Sequence, residues 1–486
     1  MGSTKKTLAG HTSIYMFGEI LRKSVSLIML PIYTRYLTPK DYGVIELLTM
    51  LIDISTIIFG ARAARAVFRF YCTASTPEDK NSIVASALFL SFLFNLAGAV
   101  TIAVLSRPLS YVIFSDDGYQ LYIVLFAVVM ALMPFSEIPL THIRAQQRPW
   151  LFFSFSLIKL IIQLSLNIYF VVIKEMHVEG VIYSTLIAGA FMGVALSTYS
   201  LWITGLRIKR AVCKMLFSFS LPIKLAAAGA FYLTFGDRYI LNVYTDLTQV
   251  GIYSLGYKFG FVFTIIAWDA FENMWDSEKY AILEKPDAKK IYQKVFLYMS
   301  SILISVGLLI SLFTKDLLII MSDPAFHSAY KIVPIIILAY IIQSWGRYCE
   351  LGILLEMKTI HIAYAHLFAV IVITVAYFTL IPAFGIYGAA WATVIGFTAR
   401  SCWINWKAKQ YYDMELPWGK IGVIAMLATA TFIASLFIPE HLIISIFFRV
   451  ALLLIFSVIF FSLPILDKGE KLELYKMIMR QKRIYS

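Results

Sequence analysis

Ionisable residues stand inside stretches of this chain that are otherwise apolar, and they define the chemistry open to it. The first such stretch holds Glu19, Arg22 and Lys23, with Ser26 one turn on. The second holds Glu46, Thr49, Asp53, Thr56 and Gly60, a spacing that puts them on one helical face. Lys224 and Lys258 each lie roughly ten residues from the ends of their stretches, about 15 Å deep at the helical rise. Asp269 and Glu272 follow on the face of Lys258, and a later stretch carries Gln343, Arg347 and Glu350. Charges at hydrocarbon depth are costly, so they face an aqueous cavity or one another. Cations there suit an anionic ligand, and phosphate or pyrophosphate is the natural match. Arg22, Lys23, Lys224, Lys258 and Arg347 are therefore candidates for a cationic, substrate-binding cavity. Glu19, Glu46, Asp53, Asp269 and Glu272 are candidates for binding a small cation, H⁺ or Na⁺.

Some of these charges have simpler readings. Glu19 with Arg22, and Arg347 with Glu350, are three apart and can neutralise each other. Lys159, Gln163 and Asn167 recur every fourth residue, as a second lining or as a polar seam between helices. Asp237 and Arg238 read as adjacent charges reaching the interface at the outer end of their helix. Arg62, Arg65, Arg400 and Arg449 read as snorkelling residues near span ends.

The elements that position these groups follow from composition. Of 486 residues, 60% are hydrophobic and 15% charged, with a mean hydropathy of +0.78. That is too little charge to coat a soluble protein of this size. The apolar blocks run to roughly 20–25 residues, matching a hydrocarbon core about 30 Å thick. The chain reads as an all-α polytopic membrane protein of about 14 transmembrane helices; uninterrupted apolar runs exclude a barrel. The spans carrying the ionisable groups are 12–36, 42–66, 214–243, 247–273 and 328–355. The net charge of +13 is one-sided. Lys5, Lys6, Arg207, Lys209, Arg210, Lys214, Lys279, Lys285, Lys289, Lys290 and Lys294, among others, fall on one side. Only Arg35, Lys40, Arg107, Lys174 and Lys315 fall on the other. The positive-inside rule then sets both termini in the cytoplasm, and no nucleic-acid partner is needed to explain the charge. The tail "DKGEKLELYKMIMRQKRIYS" reads as a basic helix on the inner leaflet. "MGSTKKTLAG" is polar and the block after it is a full span, so no cleavable signal is expected, and Lys6 departs from the myristoylation pattern. Cys72, Cys213, Cys349 and Cys402 are scattered, with no metal-ligand spacing.

The chain also repeats. "YLTPKDYGVIELL" from Tyr36 returns as "YTDLTQVGIYSL" from Tyr244, aligning Gly43 with Gly251 at an offset of 208 residues. "GVIYSTLIAG" from Gly180 returns as "GAAWATVIGF" from Gly388, and Tyr169-Phe170 as Tyr377-Phe378, at the same offset. An even number of spans per copy implies parallel repeats. We expect a six-helix lobe over 1–210, a second over 211–412, two further helices over 413–466 and the basic tail over 467–486. The charges do not follow the repeat: Lys258 falls opposite Met50, and Arg22 opposite Ala230. A single copy of a charge suits one site better than a duplicated scaffold.

With "LTPKDYGVIELL", "SLPIKLAAAGAFYLTFGDRYIL", "VGIYSLGYKFG" and "GIYGAAWATVIG" in view, nearly the whole chain resembles the polysaccharide transporters. These are the Wzx-type O-antigen and lipid-linked oligosaccharide flippases of the multidrug/oligosaccharidyl-lipid/polysaccharide exporter superfamily. The resemblance implies two six-helix lobes related by a pseudo-twofold axis, plus two C-terminal helices. It implies an undecaprenyl-pyrophosphate-linked glycan as substrate, a bacterial inner membrane as location, and no cofactor. Polymerase and chain-length proteins would be partners of an otherwise monomeric transporter. The family's charged positions diverge, so the site residues above rest on depth.

Two other functions fit less well. An ion-coupled exporter of a small anionic or amphipathic compound would use the same fold. A membrane-embedded glycan polymerase or ligase would need a large outer loop with catalytic groups; the loops near 107–118 and 314–327 are short, and His327 stands alone. No nucleotide-binding glycine loop occurs, so an ion gradient or product removal would supply the energy.

Overall fold

The computed structural model describes residues 28–61, 63–439 and 442–462, and among these there are helices but no strands. Helix α1 covers Leu30–Tyr36, α2 Pro39–Ile58, α3 Ala64–Thr73, α4 Pro77–Val104 and α5 Ser106–Phe114. They are followed by α6 (Gln120–Leu132), α7 (Pro134–Ala145), α8 (Pro149–Asn167), α9 (His177–Thr204) and α10 (Arg210–Tyr244). Next come α11 (Leu247–Phe263), α12 (Ala270–Leu283), α13 (Ala288–Met321), α14 (Val333–Leu355), α15 (Ile360–Tyr411), α16 (Trp418–Ser435) and α17 (Leu442–Ser462). Two π-helical segments, Ile168–Ile173 and Thr264–Asp269, extend α8 and α11.

Nine helices of the described residues are long and apolar enough to cross a membrane, or ten if one bent pair is a single span. The protein is a multi-pass membrane protein. The expected fourteen is not reached by this measure, for physical reasons that differ along the chain. Most of the first expected span lies outside the described residues. Helix α2 carries Lys40, Asp41, Glu46 and Asp53 within its 20 residues and is not among the nine. Helix α15, with 52 residues, counts once yet is far longer than one bilayer crossing. It breaks at Gly385, whose φ of +53° is left-handed, three residues after Pro382.

The chain divides into two compact units. The first holds Met1–Leu255, Met321–Phe326 and His366–Gly396. Its core includes Val67, Ile83, Val84, Leu88, Ile138 and Leu216. The second holds Gly256–Ile320, His327–Ala365 and Phe397–Ser486. There Trp275 stacks on Tyr348 at 4.9 Å, and Tyr348 donates to the carbonyl of Tyr292 at 2.8 Å, tying α12, α13 and α14 together.

Within the first unit the sequence repeat is visible as local geometry. Thr38 caps α2, accepting from the Asp41 N–H at 3.1 Å while Asp41 accepts in return from the Thr38 N–H. Its equivalent, Asp246, accepts from the Gln249 N–H at 2.9 Å in front of α11. Gly43 and Gly251 meet where α2 and α11 cross. A Cβ on Gly43 would stand 2.1 Å from the Leu247 carbonyl oxygen, and one on Gly251 would stand 1.9 Å from that of Pro39. Only glycine permits this backbone contact. His177, with φ of +45°, is the repeat equivalent of Gly385, so both copies turn through the left-handed region at the same place.

Candidate functional site

The first unit holds Lys224, Glu46 and Asp53; the second holds Lys258, Asp269, Glu272 and Arg347. Glu19, Arg22 and Lys23 lie outside the described residues, as does Arg62. Helix α2 presents Glu46 and Asp53 two turns apart, both half-buried. Thr49, between them, folds its hydroxyl back onto the Ile45 carbonyl, and Thr56, just beyond, onto that of Asp53. Those hydroxyls are satisfied within the helix, leaving the two carboxylates as the chemical content of the stripe.

Lys224 is half-buried on α10, its ammonium 5.9 Å from the ring centres of both Phe94 and Phe217. Two aromatic faces lower the cost of holding a cation at this depth without neutralising it. Lys258 is also half-buried, on a helix whose adjacent residues Tyr257 and Phe259 are buried. Gly256 and Gly260 seat that helix on Ile332, Ile336 and Tyr340. Lys258 lies midway between the glycines, about 200° round the helix from each, and so on the opposite face.

Arg347 and Glu272 come together, with Nη1 and Oε2 3.7 Å apart, and the guanidinium lies 5.9 Å from the Trp268 ring centre. This differs from the expected pairing of Arg347 with Glu350. Glu350 instead engages Arg400 of α15, across a helix boundary rather than along its own helix. Arg400 and Arg449 do not snorkel. Both are buried, and Arg449 of α17 binds Asp316 of α13, which also accepts from Ser445 at 3.2 Å. The signal for these was present but faint: Asp316, Arg400 and Arg449 each interrupt a long apolar run. Gln163 and Asn167 behave as a polar seam, Asn167 accepting from Tyr33 at 3.0 Å and Gln163 reaching Thr185 at 3.5 Å.

Asp237 and Arg238 are the clearest correction. They do not reach an interface but are fully buried, at 0% and 1% exposure. Arg238 donates to Asp237 at 2.8 Å and to the Thr234 carbonyl at 2.9 Å, and Tyr253 donates its hydroxyl to the other Asp237 oxygen. The guanidinium lies 4.9 Å from the Phe235 ring centre. The buried carboxylate, bonded by both Arg238 and Tyr253, ties α10 to α11. Asp237→Ala removes the carboxylate paired with buried Arg238, and breaking a buried pair costs about 3–5 kcal/mol. Thermal unfolding of the purified protein should show that loss, with Tyr253→Phe costing about 1.5–3 kcal/mol.

The sequence model of the family described as "Polysaccharide biosynthesis protein" matches residues 32–274, half of the chain. The chain belongs to this family. No curated protein matches it significantly in sequence. The chain shares its fold with solved transporters. The lipid II flippase MurJ, in an inward closed conformation, superposes with a TM-score of 0.73 at 12% identity, over 92% of this chain and 98% of that one. An inward-facing multidrug resistance MATE family transporter of the MOP superfamily gives 0.61 at 13% identity, over 80% and 94%. A MOP superfamily transporter from Pyrococcus furiosus, described as having a binding pocket of reversed polarity, gives 0.52 at 13% identity, over 84% and 95%. At these identities the likeness establishes the fold.

Proposed function

We propose that this protein is a flippase. It carries an undecaprenyl-pyrophosphate-linked oligosaccharide, the repeat unit of O-antigen or another surface polysaccharide, from the cytoplasmic to the periplasmic leaflet by alternating access. Membership of a polysaccharide biosynthesis family by a chain with a flippase-like, multi-pass fold carries this reading. An undecaprenyl-linked substrate implies a bacterial inner membrane, and the one-sided basic loops favour cytoplasmic termini.

In this scheme Arg22, Lys23, Lys224, Lys258 and Arg347 hold the diphosphate while the sugars cross and the lipid tail stays in the bilayer. Glu19, Glu46, Asp53, Asp269 and Glu272 bind the H⁺ or Na⁺ that couples transport. The protein works as a monomer without a cofactor, handing its product to polymerase and chain-length proteins. The fold shared with multidrug transporters supports a second reading, an ion-coupled exporter of a small anionic or amphipathic compound. A deletion strain separates the two. The flippase reading expects lipid-linked glycan to accumulate in the inner leaflet, with complementation restoring surface polysaccharide. Normal lipid-linked intermediates together with drug hypersensitivity would favour the exporter.

A further inference from the structure

Three arginine–carboxylate pairs within the second unit join its helices, and they are not alike. In Arg400–Glu350 the side chains are 6% and 19% exposed, and in Arg449–Asp316 they are 9% and 6% exposed. Both are closed pairs that lock helices together. Arg347–Glu272 is open, with side chains 36% and 39% exposed and a separation of 3.7 Å, beyond ordinary hydrogen-bond length. An ion pair this loose and this accessible is held weakly and can be exchanged.

What surrounds the open pair suits exchange. Trp268, 2% exposed, offers a fixed ring to the guanidinium, so Arg347 keeps a support when its carboxylate leaves. The π-helical segment Thr264–Asp269 ends three residues before Glu272, and such segments are retained mostly at functional positions. Asp269 and Asp276 flank Glu272 on its own side of the pair. On α14, Glu350 is already committed to Arg400. Arg347 is therefore the cation that Glu272 meets, and Glu272 is the anion seated on Arg347.

We propose, resting on the flippase reading, that Glu272 is a stand-in for the substrate's diphosphate. It occupies Arg347 when the site is empty, is displaced when the diphosphate arrives, and competes for Arg347 again to promote release. A diphosphate displaces it because it carries more charge and can close to two parallel N–H bonds on the guanidinium, from which Glu272 stands 3.7 Å away. Glu272 thereby sets how tightly the anion is held. Without it the site binds the anion better and lets go of it more slowly.

The test uses the full-length protein in lipid nanodiscs, with inorganic pyrophosphate as the probe and calorimetric titration as the readout. Glu272→Gln is expected to tighten binding about tenfold, and Arg347→Gln to weaken it by about tenfold or more. Cells carrying Glu272→Gln should assemble less surface glycan despite the tighter binding. Glu272→Asp, which keeps the charge but shortens its reach, should give a smaller increase in affinity. A purely structural pair would weaken binding in Glu272→Gln and Arg347→Gln alike. Unchanged or weaker binding by Glu272→Gln at wild-type melting temperature would overturn the exchange, as would loss of folding in both Glu272 variants. Absence of pyrophosphate binding by the wild type and every variant would overturn the flippase reading, and the exchange with it.

Discussion

Lys258→Gln is expected to abolish surface-glycan assembly while leaving the protein folded and in the membrane. Helix α11 is seated by Gly256 and Gly260, against which Ile332, Ile336 and Tyr340 pack. Lys258 lies on the opposite face and is half-buried, so replacing its ammonium by an amide leaves that packing intact. The proposed contact with the substrate's diphosphate would not survive. A charge-assisted hydrogen bond is worth about 1.5–3 kcal/mol, or on the order of ten- to a hundredfold in affinity. Lys258→Arg keeps the charge and should retain part of the activity. Complementation of a deletion strain, scored by surface glycan and by the amount of protein in the membrane, checks both halves of the prediction. Full glycan assembly by Lys258→Gln would remove this residue from the site.

The second large effect concerns the crossing of α2 and α11. Gly251→Ala places a methyl group 1.9 Å from the Pro39 carbonyl oxygen, and Gly43→Ala places one 2.1 Å from that of Leu247. Both obstacles are backbone atoms, so no rotamer change relieves them and the helices must separate. Overpacking of this kind costs about 1–3 kcal/mol where side chains can yield, and more where they cannot. Either variant should fail to accumulate, or should melt far below the wild type. Gly189→Ala is the control, since nothing lies within 4 Å of its added Cβ. Equal melting temperatures for Gly251→Ala and Gly189→Ala would show that the crossing is not close-packed.

Much of the scaffold is legible before any coordinates are seen, because its signals are local. Repeated turn chemistry at Thr38 and Asp246 announces two helix starts, and each is capped as the residue types suggest. The glycines aligned by the repeat turn out to face each other, which an offset alone cannot reveal. Ion pairing was much harder to read. Spacing along one helix favours Arg347 with Glu350, yet both residues find partners on other helices. Asp237 and Arg238 look exposed by their distance from a helix end, but Tyr253, sixteen residues on, closes over the carboxylate. Arg449 and Asp316 are 133 residues apart, and a lone charge in an apolar run does not name its partner. Depth in a span can be counted from sequence, whereas the neighbouring helix depends on packing.

As a flippase, this chain would move a lipid-linked glycan across a bilayer. The most direct test is reconstitution into liposomes carrying an undecaprenyl-pyrophosphate-linked oligosaccharide on one leaflet. The glycan's accessibility to a membrane-impermeant modifying enzyme is then followed over time. A wild-type protein that transfers the glycan to the other leaflet under an H⁺ or Na⁺ gradient, beside a folded Lys258→Gln variant that does not, is the predicted result. Glycan that stays on its original leaflet in wild-type vesicles, with or without a gradient, would rule out a flippase.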